Sequence, residues 1–117
     1  MIAVENRPGP LAVARRLLDP LGVECRLGEG LRPIHPGEVQ VAVIAGMGGR
    51  RIAAILAASP QVVSALQGLV LQPVQRGDEM LAGLLDKGFR LEARSDVEQG
   101  SHRYSALLLL PPYSIAR

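Results

Sequence analysis

Short apolar runs alternate with segments of helical periodicity along almost the whole chain. The runs that predict buried strands cover residues 2–4, 23–27, 39–45 and 69–71. Helical spacing of apolar residues predicts helices over residues 10–20, 52–58, 61–66 and 78–87. The run at residues 39–45 is nearly all apolar and β-branched, which is typical of a parallel strand covered by helices on both faces. The alternation of strands and helices therefore predicts an open α/β sheet that is mainly parallel.

The end of the chain has a different pattern. Apolar and charged residues alternate over residues 89–94, which predicts a half-exposed strand. A turn at residues 98–101 leads into a last strand at residues 104–110. These two strands predict an antiparallel C-terminal hairpin at the edge of the sheet, and residues 32–37 form the one obvious long connection.

Composition restricts the class of protein. The 117 residues suffice for one domain, and 48% of them are hydrophobic but only 3% aromatic, so Leu, Val, Ile and Ala must form the core. With 13 basic and 11 acidic side chains the chain permits a nucleic-acid partner without demanding one. One cysteine allows no internal disulfide, and no apolar run is long enough to cross a bilayer. Residues 1–10 have no apolar core segment, so we expect no signal peptide. We expect a reduced, cytoplasmic protein without a membrane partner.

Three candidate ligand-binding features follow predicted strands. Glu5 and Asn6 come after the first strand, and Glu29 and Gly30 come after the second. The third strand leads into a glycine-rich turn made of Ala45, Gly46, Met47, Gly48 and Gly49. Ligands of open α/β sheets bind beyond the carboxyl ends of strands, where a carboxylate can accept bonds from ribose hydroxyls and glycines allow close backbone approach. Alone, each is more often a solvated carboxylate or a tight turn; their shared order is more informative.

The remaining polar residues predict little chemistry. Arg50 and Arg51 follow the glycines and could bind a phosphate backbone or simply begin a solvated helix. Cys25, His35 and His102 have no metal-ligand spacing, so we expect no metal. The glycine-rich turn matches neither a dinucleotide fingerprint nor a P-loop, and no serine lies in a nucleophile elbow.

Two segments resemble a known family. Residues 43–49 read Val-Ile-Ala-Gly-Met-Gly-Gly, and residues 69–73 read Leu-Val-Leu-Gln-Pro. This pair resembles the bacterial tRNA (adenine-N1) methyltransferases of the TrmK type. The segments around Glu5, Glu29, Phe89 and Tyr104 resemble the same family in the same order, so the similarity runs essentially end to end.

The resemblance implies a Rossmann-like fold, S-adenosylmethionine as cofactor and tRNA as partner. It implies that Glu5 holds the cofactor ribose and that Glu29 lies near its adenine, with Asn6, Gly30 and Gly46 also in the cofactor site. It further implies that residues 45–49 form the floor where the target adenine meets the methyl group. Such a transfer depends mostly on positioning, so the scarcity of acids and bases does not count against it.

The chain also departs from the family. The family's first strand and its glycine-rich turn have no counterpart, so residues 1–117 read as a single partial domain. That strand would lie between those predicted at residues 2–4 and 39–45, so either these two pair directly or another chain fills the gap. We expect a homo-oligomer that completes the sheet. Glu29, Val74, Leu81 and Gly83 replace the family's aspartate, asparagine, arginine and tryptophan.

Three hypotheses follow for function. The first is a methyltransferase-like protein that is weak or inactive as this chain alone. The second is a non-catalytic remnant of the fold that binds a nucleotide or a protein. The third is an enzyme whose reading frame begins before Met1.

Overall fold

The computed structural model describes residues 1–112. Six strands and four α-helices occur in this part of the chain, in the order β1 Ile2–Glu5, α1 Pro8–Leu18, β2 Glu24–Leu27, β3 Val41–Met47, α2 Gly49–Ala58, α3 Pro60–Ser64, β4 Gly68–Pro73, α4 Gly77–Asp86, β5 Arg90–Gln99 and β6 His102–Leu110. A short 3₁₀ helix, Asp19–Leu21, follows α1 and ends at Gly22 in the left-handed conformation. Each predicted element is present, with ends shifted by at most three residues except in β5, which extends five residues beyond its predicted end.

The strands form two separate sheets. β1 pairs in parallel with β2, and a four-stranded sheet has the order β3-β4-β6-β5. In the larger sheet β3 and β4 are parallel, whereas β6 is antiparallel to both β4 and β5. The open α/β sheet and its antiparallel C-terminal hairpin are therefore confirmed. Direct pairing between β1 and β3, which was one of two alternatives, does not occur.

The core lies on one face of the larger sheet. The buried side chains of this face alternate along the strands and come from β3, β4 and β6: Ala42, Ile44, Leu69, Leu71, Leu107 and Leu109. Helices α2, α3 and α4 cover them with aliphatic side chains such as Ile52, Val63 and Leu84. Burial of this aliphatic face contributes about 25 cal/mol per Å² of apolar surface removed from water.

The opposite face of β3 is open, which corrects the prediction that helices cover both faces. Val41 is 53% exposed and Val43 is 68% exposed. The reason is the distribution of the helices, since α2, α3 and α4 all contribute to the one core and α1 packs on β1 and β2. Helix α1 itself buries only Leu11, so its predicted apolar stripe is largely in solvent.

Two further predictions need correction. β5 was predicted to be half-exposed, but all ten of its residues are exposed. A register shift between Leu91 and Ala93 interrupts the alternation, and the buried Phe89 lies just before the strand. The glycines at 46–49 were predicted to break β3, yet the strand continues through Gly46 to Met47.

Candidate cofactor and nucleic-acid site

Glu5 is the last residue of β1 and lies at the carboxyl edge of the small sheet. It is in register with Leu27 of β2, and its carbonyl oxygen accepts a hydrogen bond from the Gly28 amide at 3.0 Å. One oxygen of its half-buried carboxylate accepts a hydrogen bond from the backbone amide of Asn6 at 3.1 Å. An ionised carboxylate has about four acceptor sites, so this bond leaves capacity for ligand hydroxyls.

Glu29 lies two residues beyond the end of β2, beside the start of α2. Its carboxylate is 4.0 Å from the Arg51 guanidinium, and both side chains are more than half exposed. Gly30 makes this approach feasible: its φ is +60°, and a Cβ there would lie 2.7 Å from Cγ2 of Ile55. The loop after β2 is therefore packed against the helix that follows β3, which brings the carboxyl ends of β2 and β3 to the same side of the molecule.

The glycine-rich turn joins β3 to α2 at that edge. Ala45 and Gly46 are exposed, and the register with β4 shifts between Ala45 and Met47. Gly46 has a φ of +78° with open space beside it, whereas Gly48 is extended at the N-cap of α2. The left-handed conformation of Gly46, with open space beside it, leaves the backbone of the turn accessible. The predicted floor residues 45–49 thus lie at the strand end, and their role in binding stays a prediction.

A second turn, which the sequence analysis missed, is fastened to the first. The Val74 amide donates to the Met47 carbonyl at 2.9 Å, and the Gly49 amide donates to the Gln75 carbonyl at 2.8 Å. Gly49 is buried, and a Cβ at this position would collide with the Arg76 carbonyl oxygen. The available signal was Pro73 at the end of β4, since β4 is the parallel neighbour of β3 and must end at the same edge.

The two arginines predicted to bind RNA are paired with carboxylates. Arg50 donates to Glu79 at 3.3 Å, and the same carboxylate lies 3.5 Å from Arg76. Arg51 pairs with Glu29, as described above. All of these side chains are about half exposed or more, so the pairs are weak and screened by salt. An RNA phosphate could therefore compete for the guanidinium groups, and their role in binding RNA stays a prediction.

A polar cavity of about 310 Å³ lies between the second turn and the hairpin. Its lining includes Arg76 and, on the hairpin, Arg94, Arg103 and Ser105. Asp96 neutralises part of this charge. The Ser105 hydroxyl donates to it and the Arg94 guanidinium lies beside it, and both hold the pKa of this carboxyl below its usual value.

A partly buried ion pair outside this site was also not predicted from the sequence. The Arg26 guanidinium donates to both oxygens of Glu38, at 2.7 and 2.6 Å, and to Glu24 and the Pro33 carbonyl. The Arg26 hydrogen bonds, together with one from the His35 amide, lower the pKa of Glu38 to about 2. Arg26 and Glu38 are twelve residues apart with an irregular loop between them, so the sequence pattern did not predict their contact.

Other candidate groups are dispersed. Cys25 is buried in β2, His35 lies in the long loop, and His102 is in the hairpin with its ring centroid 6.2 Å from that of Tyr104. Within residues 1–112 no cluster of three or more histidine, cysteine or acidic side chains could hold a metal ion. Nor does this part of the chain contain a helix with the length and apolarity needed to cross a bilayer.

The parallel strands, followed at their carboxyl ends by acidic residues and a glycine turn, define a Rossmann-like α/β domain. A family model described as "Methyltransferase domain" matches residues 1–107, and the chain belongs to this family. The tRNA (adenine(22)-N(1))-methyltransferase of Bacillus subtilis is 40% identical over 76 residues, which are 62% of this chain and 32% of that protein.

Solved structures agree with this assignment. A Streptococcus pneumoniae tRNA (m1A22) methyltransferase in complex with S-adenosyl-L-methionine superposes with a TM-score of 0.87 at 32% identity, covering 98% of this chain and 57% of that one. The B. subtilis M1A22 tRNA methyltransferase TrmK gives a TM-score of 0.85 at 28% identity, covering 98% and 54%. The similarity to the TrmK type is thus confirmed, and the chain spans little more than half the length of these solved relatives.

Proposed function

We propose that residues 1–117 form part of the catalytic domain of an S-adenosylmethionine-dependent tRNA adenine-N1 methyltransferase. The observation that carries this proposal is the meeting of two strand-end carboxylates and a glycine turn at one edge of the fold. Glu29 lies 4.0 Å from Arg51, immediately after the glycine turn, and Glu5 lies beside the loop that carries Glu29. A tRNA substrate would place the protein in the cytoplasm.

The residues of this edge fit the adenosine half of such a cofactor. The free acceptor sites of Glu5 suit the two ribose hydroxyls, with Asn6 holding the carboxylate in place. Glu29 and Gly30 would lie near the adenine ring, because their loop borders the same edge. The cofactor, when bound, supplies an activated sulfonium methyl group. The protein's own task is then to orient the target and exclude water.

The glycine turn fits the target base. Ala45 and Gly46 are exposed and have no bulky side chain, and the second turn is joined to this turn through two backbone hydrogen bonds. An adenine could approach this floor closely. Arg50 and Arg51 stand at the beginning of α2, where they could exchange carboxylate partners for RNA phosphates.

A specific observation supports the second candidate, a non-catalytic remnant of the fold. The sheet is interrupted between β1 and β3, so the floor of the site has no continuous wall on that side. We therefore expect weak or no methyl transfer by this chain alone. A homo-oligomer that closes the sheet also stays a prediction, and the molar mass in solution tests it.

Calorimetric titration with S-adenosylmethionine and S-adenosylhomocysteine tests the cofactor site. Binding with a micromolar Kd is the expected result, and Glu5→Gln should weaken it by roughly tenfold because a charged hydrogen bond is lost. The control is Glu92→Gln, an exposed residue of β5 on the far strand of the larger sheet. A methylation assay on tRNA should follow. If no cofactor bound, or if Glu5→Gln left the binding unchanged, the proposed cofactor site would be rejected. Methyl transfer to tRNA by this chain alone would reject the hypothesis of a non-catalytic remnant.

A further inference from the structure

The polar cavity of about 310 Å³ between the second turn and the hairpin has arginines on both of its walls. Arg76 belongs to the second turn, whereas Arg94 lies on β5 and Arg103 lies on β6. Ser105 adds a hydroxyl group to the hairpin wall. These side chains come from three segments that only the fold brings together, so the sequence pattern did not connect them.

On the hairpin wall, Asp96 lies between the two guanidinium groups. Nε of Arg94 donates to its carboxylate at 3.2 Å, Nη2 of Arg103 is 3.4 Å from it, and the Ser105 hydroxyl donates to it as well. These contacts use one nitrogen of each guanidinium. The other two nitrogens of each group make no hydrogen bond within residues 1–112. Because a guanidinium has five N–H donors, most donors of this wall are available to a ligand.

The opposite wall repeats this arrangement of charge. The Glu79 carboxylate lies 3.3 Å from Arg50 and 3.5 Å from Arg76. Asp78 also lines the cavity and is exposed to solvent. The two walls together hold four guanidinium groups and three carboxylates, which leaves one positive charge in excess. This balance suits a singly charged anion such as a phosphodiester and disfavours a cation.

The cavity adjoins the glycine turn that is the proposed floor for the target adenine. Gln75 lines the cavity, and its side-chain amide nitrogen is 3.3 Å from the position that a Cβ on Gly48 would take. In RNA every base is flanked by phosphates, so a strand with its base on this turn must lead its backbone across a bordering surface. Guanidinium groups bind phosphate through charge-assisted and often bidentate hydrogen bonds, which makes the cavity a suitable path.

We propose that this cavity binds one phosphodiester group of the RNA strand beside the target adenine, with Arg94 and Arg103 on one side and Arg76 on the other. Asp96 is a positioning residue, because it holds the two hairpin guanidinium groups at the cavity without contacting the RNA. The identity of the ligand as RNA rests on the proposed function. The anion site itself depends only on the geometry of the hairpin and the second turn.

Fluorescence anisotropy of labelled RNA tests the site in the full chain. The probes are single-stranded oligo(A) and oligo(U) of about 12 nucleotides, a length that one binding surface can cover. The Kd is measured between about 50 and 200 mM KCl, because the logarithm of the affinity falls with the logarithm of the salt concentration by about 0.7 for each phosphate contact on a single strand. No cofactor is present in this titration.

Arg94→Gln and Arg103→Gln should each weaken binding by about two- to fivefold, as expected for an exposed charge pair. Each should also reduce the salt slope by about 0.7, and by the same amount with both RNAs, because a phosphate contact carries no sequence information. Arg103→Lys keeps the charge and should retain the parent slope, which separates a phosphate contact from a structural role. The control is Arg16→Gln on α1, which packs on β1 and β2 and should leave the slope unchanged.

A double-mutant cycle tests whether both walls bind the same phosphate. Arg76→Gln combined with Arg103→Gln should weaken binding by less than the product of the two single effects, with a discrepancy of about twofold or more. Arg16→Gln combined with Arg103→Gln should give the simple product. Independent effects of Arg76 and Arg103 would overturn the proposal, since the two side chains would then contact different groups.

Three further results would overturn the proposal. They are an unchanged salt slope in both hairpin variants, a loss of affinity for only one of the two RNAs, and no binding of RNA by the parent chain. Failure of the proposed function is detected separately, because the calorimetric titration with S-adenosylmethionine contains no RNA. Arg103→Gln should bind that cofactor as the parent does, so each of the two sites can fail while the other stands.

Discussion

Gly49 packs directly against the carbonyl oxygen of Arg76, so closely that no side chain fits between the two turns. The Gly49 amide donates to the neighbouring Gln75 carbonyl at 2.8 Å, and a Cβ on Gly49 would also lie 2.9 Å from Cβ of Met80. The turn after β3 and the turn after β4 are therefore one structural unit. Any ligand that lies on the first turn depends on the position of the second.

Replacing Gly49 by alanine should separate the turns and destabilise the fold. The added methyl group has to displace backbone and a buried helix, which typically costs about 1–3 kcal/mol. The matched control is Gly83→Ala in α4, where nothing lies within 4 Å of the new Cβ. That control should raise the free energy of unfolding by about 0.5–1 kcal/mol, because alanine is the better helix former. Urea unfolding measures both, and equal effects of the two substitutions would contradict the proposed contact.

Arg76 is the one non-glycine residue with a positive φ among residues 1–112, at 56°. This conformation costs an L-residue about 1–2 kcal/mol, which exceeds the 0.5–1 kcal/mol of extra backbone entropy that glycine loses. Arg76→Gly should therefore be neutral or raise the free energy of unfolding by about 0.5 kcal/mol, whereas Arg76→Val should lower it. Arg16→Gly, in the last turn of α1, should lower it by up to about 1 kcal/mol, because glycine is a poorer helix former. Thermal unfolding compares the three, and a loss of stability in Arg76→Gly would argue against strain at this position.

The sequence was informative where local pattern determines structure. Apolar periodicity located α2 and α4, and the order of acidic residues and glycines predicted which strand ends would meet. The Glu29–Arg51 contact between the loop after β2 and the start of α2 agrees with that expectation. The identity of the family was also readable, because the motif at residues 43–49 is specific.

Features that depend on contacts distant in sequence were not predictable. Nothing in the pattern showed that Gln75 and Arg76 would support the glycine turn, because their backbone and not their side chains makes the contact. Likewise, the apolar residues of β3 suggested helices on both faces, since hydrophobicity shows that a face can be buried and not whether another element covers it. The described helices do not cover this face of β3, so Val41 and Val43 are exposed.

The two faces of β3 should respond differently to the same substitution. Val43→Thr keeps the β-branched shape at a position that is 68% exposed, so the free energy of unfolding should change by less than about 0.5 kcal/mol. Ile44→Thr removes a methyl group from the core and buries a hydroxyl, which should cost at least about 2 kcal/mol. Denaturant titration of the isolated chain measures both. A large effect at Val43 would show that its face is already covered.

The ion pair between Arg26 and Glu38 should make stability depend on pH in the acid range. Hydrogen bonds from Arg26 and from the His35 amide lower the pKa of Glu38 to about 2 in the folded protein, against 4.5 for the free group. The folded state thus binds the proton less readily than the unfolded state. The stabilisation from this carboxylate is complete above pH 4.5 and disappears as the pH falls towards 2.

Glu38→Gln should therefore lower the free energy of unfolding at pH 7, and its difference from the parent should shrink steadily between pH 4.5 and pH 2. Urea unfolding at a series of pH values measures that difference, in which the titration of the other carboxylates largely cancels. Glu98→Gln, at the exposed end of β5, is the matched control and should change the free energy of unfolding only slightly at pH 7. Arg26→Met in combination with Glu38→Gln should cost no more than Arg26→Met alone, because the carboxylate has lost its main partner. If the Glu38→Gln difference stayed constant down to pH 2, the pair would not hold the loop in the way its geometry indicates.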